Sequence, residues 1–117
     1  MEYILLKNNN MPVHEFDWGK LIWYANSALG QPEYSLGFCH INPGRRNYTH
    51  FHPNCAETLH VLKGSIIHYT GGDEVEMSEG DTITVPPNVV HSAKNIGPET
   101  AELSISFSSG DRQSVNV

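Results

Sequence analysis

Glycine and proline cut this 117-residue chain into short runs. Ten glycines and seven prolines are spread along it, and several stand beside asparagine. The runs between them read as strands. Tyr34 to Ile41 ends at Asn42-Pro43-Gly44, and Glu57 to Leu62 ends before Gly64. Ser65 to Thr70 and Val75 to Met77 flank Gly71-Gly72-Asp73, a hairpin signal. Thr82 to Val85 is β-branched and ends at Pro86-Pro87. Ala101 to Phe107 alternates, with Leu103, Ile105 and Phe107 set against Ser104 and Ser106. Nothing reads as a helix, a repeat or a low-complexity linker. The length suits one domain, and such punctuation predicts an all-β sandwich or barrel.

Charge and composition narrow the partners. The net charge is −6, and the seven basic residues are scattered. A phosphate backbone needs a clustered basic face, so nucleic acid is not expected. Arg45-Arg46 is the one basic pair; solvated loop charge is the favoured reading, and an anion clamp at a pocket mouth is the rival. No apolar run approaches membrane-spanning length, so no membrane partner is expected. The start, MEYILLKNNN, does not read as a secretory signal. Cys39 and Cys55 are the only cysteines and are read as reduced thiols in a cytoplasmic protein.

One stretch carries chemistry. Between Gly44 and Gly64 lie His50 and His52, one residue apart, and then Glu57. On a strand over Tyr48 to His52, alternate side chains share a face, so the two imidazoles point together. Two neutral imidazoles on one face can hold one cation, and a carboxylate from the next strand can close on it. His91, inside a second stretch from Gly80 to Asn95, can supply a fourth donor.

These two stretches resemble the two motifs of the cupin family. The first places Gly44, His50, His52, Glu57 and Gly64 at the family spacing. The second places Gly80, Pro86, His91 and Asn95, with Asn88 standing where the family has glycine. Asparagine tolerates the left-handed region, so the turn is expected to survive. The resemblance implies a double-stranded β-helix, the jelly-roll barrel. It spans residues 34–108 within a single domain over 1–117, with an N-terminal strand extension. It implies that His50, His52, Glu57 and His91 are metal ligands. Such a set suits a divalent transition metal: Fe, Mn, Ni, Co, Cu or Zn.

The implied function is a small metalloenzyme acting on a small, oxygen-rich, chelating substrate. Dioxygenase-like chemistry is slightly favoured over isomerase or lyase chemistry. The alternative is a non-catalytic small-ligand-binding or sensor cupin, and a storage role is the third reading. A homodimer is expected by the same resemblance, with Tyr3 to Leu6 and Leu21 to Tyr24 apolar enough to seal a sheet edge.

Tyr48 shares strand parity with His50 and His52, so it is the candidate catalytic residue, orienting substrate or acting as an acid; a wall aromatic is the plainer role. Cys55 reads as a small buried hydrophobe rather than a ligand. His60 is expected outside the barrel. His14 and His68 have no partner pattern, and His40 is weighed as a lesser candidate for the cavity. Phe38, Leu103, Ile105 and Phe107 are expected in the core or lining the pocket. Asn95 is expected to satisfy backbone near its turn.

Overall fold

The computed structural model describes residues 2–117. Eleven strands follow one another: β1 Val13–Phe16, β2 Gly19–Ala25, β3 Ser35–Ile41, β4 His50–Phe51, β5 Glu57–Lys63, β6 Ser65–Thr70, β7 Asp73–Ser78, β8 Thr82–Val85, β9 His91–Asn95, β10 Ala101–Phe107 and β11 Val115–Asn116. Among the described residues the helical content is two three-residue 3-10 turns, Asn8–Asn10 and Ser27–Leu29.

The strands pair antiparallel in two sheets. One has the order β1-β2-β3-β10-β5-β8, and the other β11-β4-β9-β6-β7. Strands distant in sequence become neighbours: β10 lies between β3 and β5, and β9 between β4 and β6. The result is the double-stranded β-helix that the resemblance implied.

Local chemistry explains the joins. Gly71 and Gly72 take φ of 55° and 91°, the left-handed pair that a two-residue hairpin between β6 and β7 requires. Asn88 takes φ of 68° and is the one non-glycine residue with positive φ among those described. It holds the glycine position of the turn, and its N–H donates to the carbonyl of His52 at 2.9 Å. Asparagine adopts this conformation more readily than other non-glycine residues because its short polar side chain can hydrogen-bond locally to backbone.

Strands β3, β5 and β10 bury alternate residues. Ile41, Val61, Ile66, Ala93, Ala101 and Leu103 form the driest part of the core. Burying such side chains on facing sheets is the main drive for closure. Asn95 is fully buried among them. Its amide donates to the carbonyls of Ile41 and Glu99 at 2.9 and 2.7 Å, and its oxygen accepts from Gly97 N–H at 2.9 Å. It thus satisfies the backbone at its turn, as expected.

Two expectations need correction. Tyr3 to Leu6 forms no strand: the segment lies exposed, without a partner strand in the chain to pair its backbone. Leu21 to Tyr24 lies in β2, which covers the edge of β3 within this chain and is itself covered by β1. Phe38 faces outward and packs against Tyr24, with ring centroids 5.0 Å apart. Its neighbours Cys39 and Ile41 take the inner positions of β3. Trp23 supplies the inner aromatic instead, lying so close over Gly37 that an added Cβ would meet its ring at 2.8 Å.

Candidate metal centre

His50 and His91 face one another across β4 and β9. Their rings lie 4.3 Å apart between centroids. His52 follows directly, beyond the end of the short β4 strand. The strand read over Tyr48 to His52 therefore shrinks to two residues, because Pro53 and the Asn88 turn take over the backbone. Glu57 opens β5 in the other sheet. Donors from both sheets thus converge between them.

The four candidate ligand atoms lie within 4.8 Å of one another. Glu57 Oε1 is 2.9 Å from His91 Nε2 and 3.2 Å from His52 Nε2. All four side chains are buried or nearly so. Cys55 is buried as well but stands outside this set, as a hydrophobe should.

Backbone carbonyls orient the three rings. His50 Nδ1 lies 2.6 Å from the carbonyl of Tyr48, and His91 Nδ1 lies 2.9 Å from that of Val89. Each therefore bonds the carbonyl two residues upstream. His52 Nδ1 reaches the carbonyl of Gln113 at 2.8 Å. A carbonyl can only accept, so each Nδ1 carries the proton and donates it. In the neutral ring this leaves Nε2 as a lone pair aimed inward, the state that metal coordination requires.

That geometry tests the fit of a cation. A neutral His91 presents its Nε2 lone pair to a carboxylate oxygen at 2.9 Å, and two acceptors at that distance repel unless a positive charge joins them. A proton or a metal ion can do so. Three imidazoles and one carboxylate fit a divalent transition metal, so this cluster can bind one.

The electrostatics agree. Burial alone would raise the Glu57 pKa; hydrogen bonds from His52 and His91, and their charge, outweigh burial and hold it well below the usual carboxylate range. Burial pulls His91 down, but the Glu57 hydrogen bond and charge outweigh it and raise its pKa. Burial and the neighbouring His91 bring His50 to about 4.

The centre opens into a cavity of about 460 Å³. His50 and Glu57 line it, Trp23, Leu59, Ile105 and Phe107 give apolar wall, and His14, Phe16 and Tyr48 also line it. Phe107 meets His52 edge-on at 5.0 Å. Tyr48 is 46% exposed, and its hydroxyl donates to Asp17 at 3.2 Å. That hydrogen bond, then the Asp17 charge, raises its pKa.

The remaining candidates divide. His60 lies off the cavity and bonds Thr82 at 2.6 Å. His40 also stays outside, 3.8 Å from Glu102. Arg45 pairs with Asp17 at 3.4 Å, while Arg46 donates to Ser92 and lies 4.1 Å over the Tyr69 ring. Neither is a bare solvated charge.

Three contributors escape the sequence. His68 is only 1% exposed, and its ring stacks on His91 at 5.7 Å with a 13° interplanar angle. Only the alternation of β6, with Ile66 and His68 on one face, signals it. Gln113 acts through a carbonyl, which no side-chain pattern reveals. Arg112 enters the cavity from a polar tail that gives no structural cue.

Comparison with known proteins identifies the family and the fold. The family model described as a cupin domain matches residues 37–107. Germin-like protein 3-8 of Oryza sativa subsp. japonica is 31% identical over 80 residues, covering 64% of this chain and 36% of that protein. Quercetin 2,3-dioxygenase of Bacillus subtilis is 39% identical over 49 residues, covering 42% of this chain and 14% of that protein. The chain thus spans little more than a third of the first relative's length and far less of the second's. Among solved structures, Lactobacillus farciminis oxalate decarboxylase in a formate complex superposes with a TM-score of 0.85 at 22% identity, covering 93% of this chain and 34% of that one. That likeness is one of fold.

Proposed function

Because this chain belongs to the cupin family, we propose that it is a metalloenzyme whose substrate is a small, oxygen-rich molecule that chelates the metal. We favour dioxygen-using chemistry over isomerisation or lyase chemistry. The observation that carries this reading is the convergence of three inward Nε2 atoms and one carboxylate at a lined cavity. The name of the Bacillus relative, a quercetin 2,3-dioxygenase, supports the oxygen-using choice. A divalent metal held there would supply a Lewis acid and, for a redox-active ion, a site for oxygen chemistry.

The chain's own residues do the rest. His50, His52, Glu57 and His91 are proposed as the ligands. The carbonyls of Tyr48, Val89 and Gln113 fix the ring tautomers, so little reorganisation accompanies binding. Apolar walls exclude water and strengthen electrostatic contacts within the cavity. Tyr48 is proposed to orient substrate at the rim; its one O–H donates to Asp17, which leaves the hydroxyl oxygen to accept a hydrogen bond from substrate.

The test is oxygen uptake. Protein loaded separately with Fe(II), Mn(II), Ni(II), Co(II), Cu(II) or Zn(II) is offered flavonols, diketones, thiols and uronates, under air and under argon. Oxygen-dependent consumption of one class, lost in His91→Ala, is the expected result. Consumption that persists under argon would favour isomerase or lyase chemistry. Ligand-induced stabilisation with no turnover under any condition would leave a binding or sensor cupin and overturn the enzyme reading.

Three broader assignments accompany this one. Residues 1–117 are proposed as one domain built on a barrel over 34–108. A homodimer is proposed because Tyr3, Ile4 and Leu5 are exposed and edge strand β1 exposes Val13 and Phe16. Light scattering at the mass of a single 13.0 kDa chain would contradict it. A cytoplasmic location is proposed because both cysteines are free; secretion of the native protein with a disulfide would contradict that. No helix among the described residues is long and apolar enough to cross a membrane.

A further inference from the structure

Arg112 lines the cavity that holds His50 and Glu57. It sits on the segment between β10 and β11, which crosses from one sheet to the other. Its guanidinium carbon lies 5.0 Å from the ring centroids of both Trp23 and Phe107. Its Nε is buried and has no hydrogen-bond partner. None of the ion pairs among the described residues includes it. A buried guanidinium N–H without an acceptor is costly, and native proteins rarely leave one so unless something else completes it.

A second donor stands in the same position. Trp18 Nε1 is buried without a partner, and Trp18 lines the same cavity. Its ring is stacked on Phe16, with centroids 4.9 Å apart at 7°. Two orphaned N–H donors and the rings of Phe16, Trp18, Trp23, Tyr48 and Phe107 therefore line one space of about 460 Å³.

The charge sign follows from the same residues. Glu57 is the one carboxylate lining this cavity, and it is engaged by His52 and His91. With a divalent cation on Glu57, Arg112 leaves the space with surplus positive charge. A neutral ligand would leave the guanidinium unmatched, whereas a carboxylate accepts from its fork in a geometry that a guanidinium is shaped to meet.

We propose that the cavity binds a carboxylate whose remaining part is flat and apolar, with Arg112 as the specificity-determining anchor for the carboxylate. The flat part lies among the aromatic rings, and Trp18 Nε1 donates to a further ligand oxygen. That another oxygen reaches a metal, and that the space carries surplus positive charge, rest on the metalloenzyme reading above; the unpartnered Arg112 donor does not.

The experiment compares two probes of nearly equal shape by calorimetry: benzoylformate, which is anionic, and 1-phenyl-1,2-propanedione, which is neutral. Zinc-loaded and chelator-stripped wild type are titrated with each, alongside Arg112→Met and Arg112→Lys. Loss of a charge-assisted pair in a shielded site weakens binding by about 10-fold or more, so Arg112→Met should lose that much for benzoylformate and stay within about twofold for the dione. Arg112→Lys should recover part of the loss. The wild type should prefer the anion by a similar factor, a readout that needs no variant to fold. Equal affinity for the two probes, binding of neither, or an Arg112→Met protein that keeps the full anion preference would overturn the proposal. An anion preference that survives zinc removal, with affinity unchanged by the metal, would support the anchor while counting against metal chelation.

Discussion

His91→Ala and Glu57→Gln will fold and yet purify with less than about one tenth of the metal carried by the wild type, which will hold about one ion per chain. Loss of even a partner that merely orients a ligand costs about 10–100-fold in metal affinity, and loss of a ligand itself should cost at least about 100-fold. His91 and Glu57 carry the largest share because they come from different sheets and hold the shortest contact in the cluster, 2.9 Å. Cys55→Ala and His60→Ala serve as controls, since Cys55 lies outside the ligand set and His60 bonds Thr82 away from the cavity. Both should retain the metal. Elemental analysis and Co(II) titration of the stripped proteins read the outcome. The wild type should also melt higher when loaded, since a ligand at about a thousand times its dissociation constant adds roughly 4 kcal/mol to stability.

The second large effect concerns acid. Burial, and then the nearby His91, brings both His50 and His68 to about 4 in the folded protein. Both rings also face Glu57, which opposes the shift, and His50 further feels His52 and the Tyr48 carbonyl. In the unfolded chain each titrates near about 6.5. A depressed folded pKa gives stability that is present above the unfolded value and is lost as the pH falls toward the folded one. The unfolded chain therefore takes up protons from about 6.5 downward while the folded protein refuses them. Each ring then costs up to roughly 3 kcal/mol by pH 4. His91 works the other way, because its raised pKa stabilises the folded state below about 6.5. The sum for the chelator-stripped protein is a net loss of roughly 2–4 kcal/mol between pH 7 and pH 5. Urea melts at the two values measure it. His68→Phe should flatten the slope by somewhat less than about half, since half-buried His40 is also lowered by burial and adds a smaller third share. A stability that is level from pH 7 to pH 5, or a slope untouched by His68→Phe, would contradict the assignment.

What could be read from the chain depended on whether a residue's role was fixed by its neighbours in sequence. His50, His52, Glu57 and His91 were legible through the spacing of the two motifs; strand alternation alone would not have sufficed, since β4 ends at Phe51 before His52. Gly71-Gly72 and Asn88 were legible because left-handed backbone restricts which residues can stand there. Asn95 shared its face with His91, and that parity held. Phe38 did not yield to the same reasoning. Its strand could present either face to the core until Trp23, from β2, filled the space over Gly37. His68 needed the partner of its strand to be known, because only the pairing of β6 with β9 sets it beside His91. Arg112 and Gln113 were out of reach. They act from a polar segment whose path is set by the pairing of β11 with β4, a contact more than sixty residues apart in sequence.

The most direct measurement is an anomalous difference map from crystals of the metal-loaded protein, recorded at the absorption edge of the bound ion. It should show one peak per chain between the two sheets, at about 2.0–2.2 Å from Nε2 of His50, His52 and His91 and from a Glu57 oxygen. A peak elsewhere, or none in protein soaked with the full series of divalent ions, would contradict the account.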